Sequence, residues 1–308
     1  MRWILCGKND AAIAALEFLV EQGDEVLVIG VHGDDGRDGW QRSLRKAAKR
    51  LGVRFEQPRR IHAPEVLERL AGFEARALIS IQYDQILHAP LFQALKRPCL
   101  NLHFSLLPRH RGVSPIAWAI LSGDREAGVT LHHMVEAIDA GDLIAQERVR
   151  IGAEDTARDL YDETSRAAIR LFRASHPFPD SLLATRLPQD AEAAIYHRAG
   201  DFDFSRRGVD WSRPASELQR WLRAMIFPPH QHPEVRRAGR TLAVTRVGGE
   251  LGPAGAASPG TVLEVAPQGA RIACAEGSLW IRGLVDPERP GLAPQELVAS
   301  LRVGDRLS

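Results

Sequence analysis

Cysteine is scarce, with three in 308 residues, at Cys6, Cys99 and Cys274. An odd number so widely spaced excludes a disulfide scaffold and any CxxC metal or redox pair, and fits a reducing, cytoplasmic setting. Charge of one sign is lacking too: 40 Lys+Arg stand against 39 Asp+Glu, a formal net charge of +1. Without an overall basic field, contact with nucleic acid or an anionic membrane needs a local patch, so the balance favours small-molecule partners. No apolar run approaches the ~20 residues that span a bilayer. The N-terminal MRWILCGKND meets charge and turn residues after a few apolar positions, so neither a membrane span nor a processed leader is expected. Also missing are a G-x-G-x-x-G and a Walker A motif. The first strand turn is CGKNDAAI with a single Gly7, which removes the main support for nicotinamide or ATP chemistry. Asn9 or Asp10 in that turn reads as an N-cap.

What is present is ordinary globular composition, 44% hydrophobic and 26% charged, at a length of about two domains. Trp3–Cys6, Val26–Val31, Val53–Phe55, Ala77–Ile81 and Cys99–His103 read as strands. Ala11–Glu21, Trp40–Leu51, Pro64–Ala71 and Pro115–Leu121 read as helices. Alternation of this kind predicts an α/β fold with a Rossmann-like, mostly parallel sheet whose ligand lies beyond the strands' carboxyl ends. Two further β-rich runs, Gly128–Val135 and Leu143–Ile151, flank the turn-rich IDAG. The helix Thr156–Phe172 follows, with Thr156 and Asp159 arranged as a capping box. A catalytic domain over residues 1–180, a linker over 181–207 and a C-terminal domain over 208–308 are expected. The last comprises one helix, Pro214–Ala224, and short strands forming a small OB-like β-barrel.

The informative segment is PCLNLHFSLLPRHRG, Pro98 to Gly112. On a strand Asn101 and His103 share one face and Leu100 and Leu102 the other. Interior parallel strands are normally apolar on both faces, so these polar residues are either satisfied core groups or a site. Ser105, Arg109, Arg111 and Gly112 follow at once, as in a ligand loop. Asp139 lies in the later IDAGD. Amide, imidazole and carboxylate have a joint chemistry: the carboxylate orients the imidazole and raises its basicity, the imidazole moves a proton, and the amide binds a developing oxyanion. His132 and His133 are adjacent on a strand and point opposite ways, unsuited to sharing a metal, and no metal is expected.

N-L-H-F-S-L-L-P-x-x-R-G, then G-V-T-L-H and I-D-A-G-D, resembles the signature of the 10-formyltetrahydrofolate-dependent formyltransferases. These include methionyl-tRNA, glycinamide ribonucleotide and sugar N-formyltransferases. Carried over residue by residue, the resemblance implies that Asn101, His103 and Asp139 are catalytic; Asp142 sits nearby at a position the family does not use and reads as a loop residue supporting them. It implies that Asp84–Leu87, chiefly Ile86 and Leu87, and Glu136–Asp139, chiefly Ala137 and Ile138, wall a pocket for N10-formyltetrahydrofolate. Phe104 departs from the Gly or Pro most often found between the His and Ser of the motif, either facing the acceptor or packing under the loop. The FDFSRRGVDWSRPASELQRWLRAM segment and PGTVLEVAPQGARIACAEGSLWI resemble the family's linker and C-terminal barrel.

The acceptor is a separate question. Family members that act on tRNA carry a basic insertion after the second strand. Here the loop His32–Gly39 is acidic, and the basic residues fall on the next helix as an ordinary solvated face. The expected acceptor is therefore a nucleotide-linked amino sugar rather than nucleic acid, with methionyl-tRNA and an amino acid as alternatives. Arg109 and Arg111 are either its diphosphate partners or solvated loop residues. The residues do not fix the number of chains in solution, a homodimer being one option.

Overall fold

The computed structural model describes residues 1–289 and 291–308. The chain forms two compact units. Met1–Pro115, Ala127–Val149 and Glu163–Arg198 make the first; Ile116–Glu126, Arg150–Asp162 and Ala199–Ser308 make the second.

The first unit alternates β1 (Arg2–Gly7), α1 (Asn9–Glu21), β2 (Glu25–Gly30), α2 (Leu44–Leu51), β3 (Arg54–Glu56), α3 (Pro64–Gly72), β4 (Ala77–Ile81), α4 (Ala89–Leu95) and β5 (Cys99–His103). The short β6 (Arg111–Gly112) follows, and α5 (Pro115–Leu121) leads away. β7 (Glu126–His133), β8 (Leu143–Arg150), the later turns of α6 (Ala157–Ser175), α7 (Asp180–Leu183) and β9 (Tyr196–His197) complete it. Seven strands form one sheet in the order β3-β2-β1-β4-β5-β7-β8. β1 to β5 run parallel, whereas β7 pairs antiparallel with β5. The runs WILC, VLVI and ALISI lack alternation because helices cover both faces. Ile4, Leu27, Ile29 and Leu78 pack in one cluster with Leu70 of α3 and Leu91 of α4. Trp3 meets Phe178 at 5.3 Å between ring centroids, and Phe178 meets Phe172 of α6 at 5.4 Å.

Two local expectations change. Neither Asn9 nor Asp10 caps α1: Lys8 holds the N-cap position without a side-chain bond. Asn9 instead donates to Gln82 at 3.4 Å, and Asp10 accepts from Arg42 at 2.5 Å, so longer-range partners have claimed both side chains. The second helix starts at Leu44 rather than Trp40, because Ser43 is its cap and accepts the Lys46 N–H at 3.0 Å. Asp34 and Asp38 in turn accept the Ser43 hydroxyl and N–H. The stretch expected as a linker contains α7 at its margin and β9, the latter paired parallel with β6.

In the second unit, α8 (Ala215–Met225) precedes β10 (Glu234–Arg237), β11 (Arg240–Gly252), β12 (Val262–Ala266), β13 (Gly269–Ala273), β14 (Ser278–Val285) and α9 (Pro294–Ala299). The five strands form an antiparallel sheet in the order β10-β11-β14-β13-β12. Register shifts between β11 and β14 bend it, consistent with a small barrel-like domain. Trp211, Leu218, Leu222, Val244 and Ile281 lie in its core, with Trp221 packed against it. Thr156 and Asp159 exchange bonds reciprocally at the start of α6, the arrangement their spacing predicts. Among the described residues no helix is long and apolar enough to cross a membrane.

Candidate active site

The end of β5 carries the site. Pairing with β7 sets Asn101 opposite His132 and His103 opposite Thr130. Asp139 arrives from the turn after β7. Asn101 Nδ2 lies 3.4 Å from Asp139 Oδ1 and 3.2 Å from His132 Nε2. Asp139 Oδ2 lies 3.4 Å from His103 Nδ1 and accepts the Gly112 N–H at 2.9 Å. The trio predicted from the sequence therefore converges, two of its members from β5 and the third from the turn after β7.

Tautomers follow from the acceptors. His132 Nδ1 is 2.8 Å from the carbonyl oxygen of His133, which only accepts, so the proton sits on Nδ1 and Nε2 is left to accept from Asn101. That assignment orients the amide, with Nδ2 toward His132 and Asp139. His103 Nε2 donates to the carbonyl oxygen of His110 at 2.8 Å, leaving Nδ1 toward the carboxylate. His132 is thus a site residue that the sequence reading passed over. The signal was present in G-V-T-L-H, but only the antiparallel register reveals which residue it faces.

The loop after β5 holds these groups by backbone. His110, Gly112, Ser114 and Asp139 all have positive φ, 56°, 87°, 55° and 54°, and such residues persist in functional sites when their surroundings over-determine them. Gly112 has a further reason to be glycine, since a Cβ there would lie 2.2 Å from the His197 carbonyl oxygen. Ser105 is buried and its hydroxyl donates to the Arg109 carbonyl at 2.7 Å, so it ties the loop together. Phe104 is buried as well. Arg109 is exposed, whereas the Arg111 guanidinium donates to Gln189 Oε1 from Nε at 3.0 Å and from a terminal nitrogen at 2.7 Å.

Burial alone would push the Asp139 carboxyl up, but the His103 and His132 rings and the Gly112 N–H outweigh it and hold the group well below the usual carboxylate range. His103 is moved down by burial, against the opposing pull of Asp139, so the resting imidazole is neutral at pH 7. No thiol competes as a nucleophile: burial pushes Cys99 up to about 12 and Cys274 up to about 11, and it raises Cys6 well above the ordinary thiol range.

The residues expected to wall a folate pocket lie on two loops joined by one bond, from the Ala89 N–H to Glu136 at 2.8 Å. Ile86 is 62% exposed, Ile138 37% exposed and Ala137 exposed; Leu87 is buried in the core beneath them. Large apolar side chains standing free on adjacent loops suit a flat, partly apolar ligand. A separate open cavity of about 590 Å³ is lined by Cys99, Met134, Ala140, Asp142 and Arg186 among others, and not by those four residues. Asp142 is there near Arg186, at 4.0 Å. Among the described residues no group of three His, Cys, Asp or Glu is placed to hold a metal ion.

Comparison with known proteins identifies the family. Residues 9–174 match the formyl transferase family and residues 205–302 the formyl transferase C-terminal domain. The chain belongs to the formyl transferase family. The formyltransferase is 33% identical over 313 residues to a methionyl-tRNA formyltransferase of Cereibacter sphaeroides, covering 98% of this chain and 96% of the relative. It is 31% identical over 314 residues to that of Paracoccus denitrificans, covering all of both chains. Among solved structures, an N-formyltransferase from Helicobacter canadensis in complex with folinic acid and dTDP-3-aminofucose superposes with a TM-score of 0.72 at 23% identity. It covers 92% of this chain and 98% of that one. WlaRD, a sugar 3N-formyl transferase, superposes at 0.70 and 23% identity, covering 92% and 96%.

Proposed function

We propose that this formyltransferase moves the formyl group of N10-formyltetrahydrofolate to the primary amine of a nucleotide-linked amino sugar. The observation that carries the reading is the convergence of Asn101 and Asp139 on a neutral, buried His103. The folate supplies the formyl carbon, and the free apolar side chains of Ile86 and Ile138 suit its binding. His103 takes the proton of the attacking amine, the Asp139 carboxylate stabilises the imidazolium so formed, and the imidazolium returns that proton to N10 as the formyl C–N10 bond breaks and tetrahydrofolate leaves. Asn101 directs an N–H toward the oxygen that gains charge; its 3.4 Å contact with Asp139 is long enough to be exchanged for that oxyanion. No side chain is used as a nucleophile.

For the acceptor, the basic face of α2 is informative. Two of the four cations of α2 are paired, Lys46 with Asp38 at 2.5 Å and Arg50 with Glu17, and Arg42 just before α2 pairs with Asp10. Cations already neutralised within their own surface give little purchase on a phosphate backbone. The second reading, methionyl-tRNA as acceptor, is favoured by the curated relatives at 31–33% identity. The purified enzyme with 10-formyltetrahydrofolate, offered UDP-, dTDP- and GDP-linked amino sugars and methionyl-tRNA in parallel, separates the two. Formylation of a sugar nucleotide is expected, and preferential formylation of the tRNA overturns the sugar assignment.

A further inference from the structure

Gln189, in the stretch between α7 and β9, uses every hydrogen-bonding position of its amide on the site. Its Nε2 donates to the carbonyl oxygens of Asp139 at 2.8 Å and Gly141 at 2.7 Å. Its Oε1 accepts twice from Arg111. Arg111 adjoins Gly112, whose N–H holds the Asp139 carboxylate. β6 is in turn fixed to β9, with the Arg111 N–H bonded to the Ile195 carbonyl at 2.8 Å and the Val113 N–H to the His197 carbonyl at 3.1 Å. These bonds close a ring: the Asp139 side chain is held by Gly112, its backbone by Gln189, and Gln189 by the arginine next to Gly112. Asp139 needs such a ring, because its φ of 54° is held by a non-glycine residue only when its neighbours enforce it.

We propose that Gln189 is a positioning residue for formyl transfer, clamping the Asp139 turn to Arg111 so that the carboxylate stays on His103. The proposal rests on the reading of Asn101, His103 and Asp139 as the reacting groups. Arg111 polarises the amide, which strengthens the two N–H donations to the turn. Without them the turn relaxes, the carboxylate drifts from Nδ1, and His103 loses the charge that favours its protonated form. The titratable side chains around His103 are Asp139, His132 of β7 and His110 of the following loop, and a change at Gln189 alters none of them chemically.

Two substitutions divide the clamp. Gln189→Leu removes every bond. Gln189→Glu keeps an acceptor for Arg111, and with it the docked segment, but offers no N–H to the two carbonyls. Each folded variant is compared with wild type and Asp139→Asn in two ways. One is a ¹⁵N NMR titration of the His103 imidazole without substrate, assigned by its loss in His103→Ala. The other is steady-state transfer from 10-formyltetrahydrofolate to the sugar nucleotide or methionyl-tRNA that serves best. Gln189→Leu is expected to titrate His103 at lower pH, as Asp139→Asn does, whereas in Gln189→Glu the new carboxylate opposes that shift; both lose kcat on the order of 10- to 100-fold with the acceptor KM unchanged. A merely structural residue lowers thermal stability without moving that titration. Wild-type kcat in Gln189→Glu, or wild-type titration in Gln189→Leu, overturns the clamp. Full transfer by His103→Ala overturns instead the reading beneath it, and the catalytic role of the clamp with it.

Discussion

Oδ2 of Asp139 faces Nδ1 of His103 at 3.4 Å, while Nε2 of the same ring donates to a backbone carbonyl at 2.8 Å. The imidazole thus has an acceptor at each nitrogen and, when neutral, one proton to satisfy them. Burial keeps it in that state. A proton arriving from a substrate completes the second contact, so the site stabilises the product of proton transfer more than its resting form.

The pH profile follows from this balance. Burial moves His103 below the ordinary histidine value and Asp139 partly opposes it. Since the neutral ring takes the amine proton, kcat/KM falls on the acid side as His103 becomes charged. Asp139→Asn removes the charge that favours the imidazolium, so the acid limb is expected at lower pH, with a reduced plateau. A limb moving to higher pH contradicts the assigned roles.

Stability has its own pH dependence. His103 and His133 are both moved down, chiefly by burial and at His133 also by Arg186. A lowered folded value gives stability that is whole above the unfolded value of ~6.5 and lost as pH falls toward the folded value. Asp139, also lowered, contributes stability above the unfolded carboxylate value, which is lost only in stronger acid. Urea unfolding at about pH 7.5 and about pH 5 is therefore expected to show weakening that His133→Gln reduces.

Gly112→Ala combines two penalties. Its positive φ costs an L residue about 1–2 kcal/mol, and the added Cβ meets the His197 carbonyl oxygen at 2.2 Å. Gly23 has a similar φ of 76° but nothing within 4 Å of a Cβ. Gly23→Ala is expected to show the conformational cost alone, and Gly112→Ala a further loss of about 1–3 kcal/mol from overpacking, read by denaturant unfolding. Gly112→Ala is expected to reduce turnover too, since its N–H holds Asp139.

The paired cations of α2 give a surface prediction. Lys46→Ala and Arg50→Ala are expected to leave the rate of formyl transfer and its salt dependence unchanged. A protein that gripped a polyanion through them would show weaker binding and a shallower salt slope.

Much of this was legible in the sequence, because strands such as WILC and VLVI are apolar on both faces, whereas β5 sets Asn101 and His103 together on one face. Asp139 was legible through its motif. His132 was not, since its role depends on antiparallel register between β5 and β7, which periodicity does not encode. Gln189 was hidden for a different reason: it acts from an irregular segment fixed by single bonds, where no hydrophobic period announces an element. The missed caps at Asn9 and Asp10 show the same limit, local propensity yielding to the distant partners Gln82 and Arg42.

The central claim is that Asn101, His103 and Asp139 carry formyl transfer. The most direct measurement is release of tetrahydrofolate from 10-formyltetrahydrofolate with the preferred amine acceptor, for wild type, Asn101→Ala and His103→Ala at matched folded concentration. Turnover is expected to fall roughly 10²–10³-fold for Asn101→Ala and roughly 10²–10⁴-fold for His103→Ala, with both variants still folded. Near wild-type turnover in His103→Ala contradicts the account.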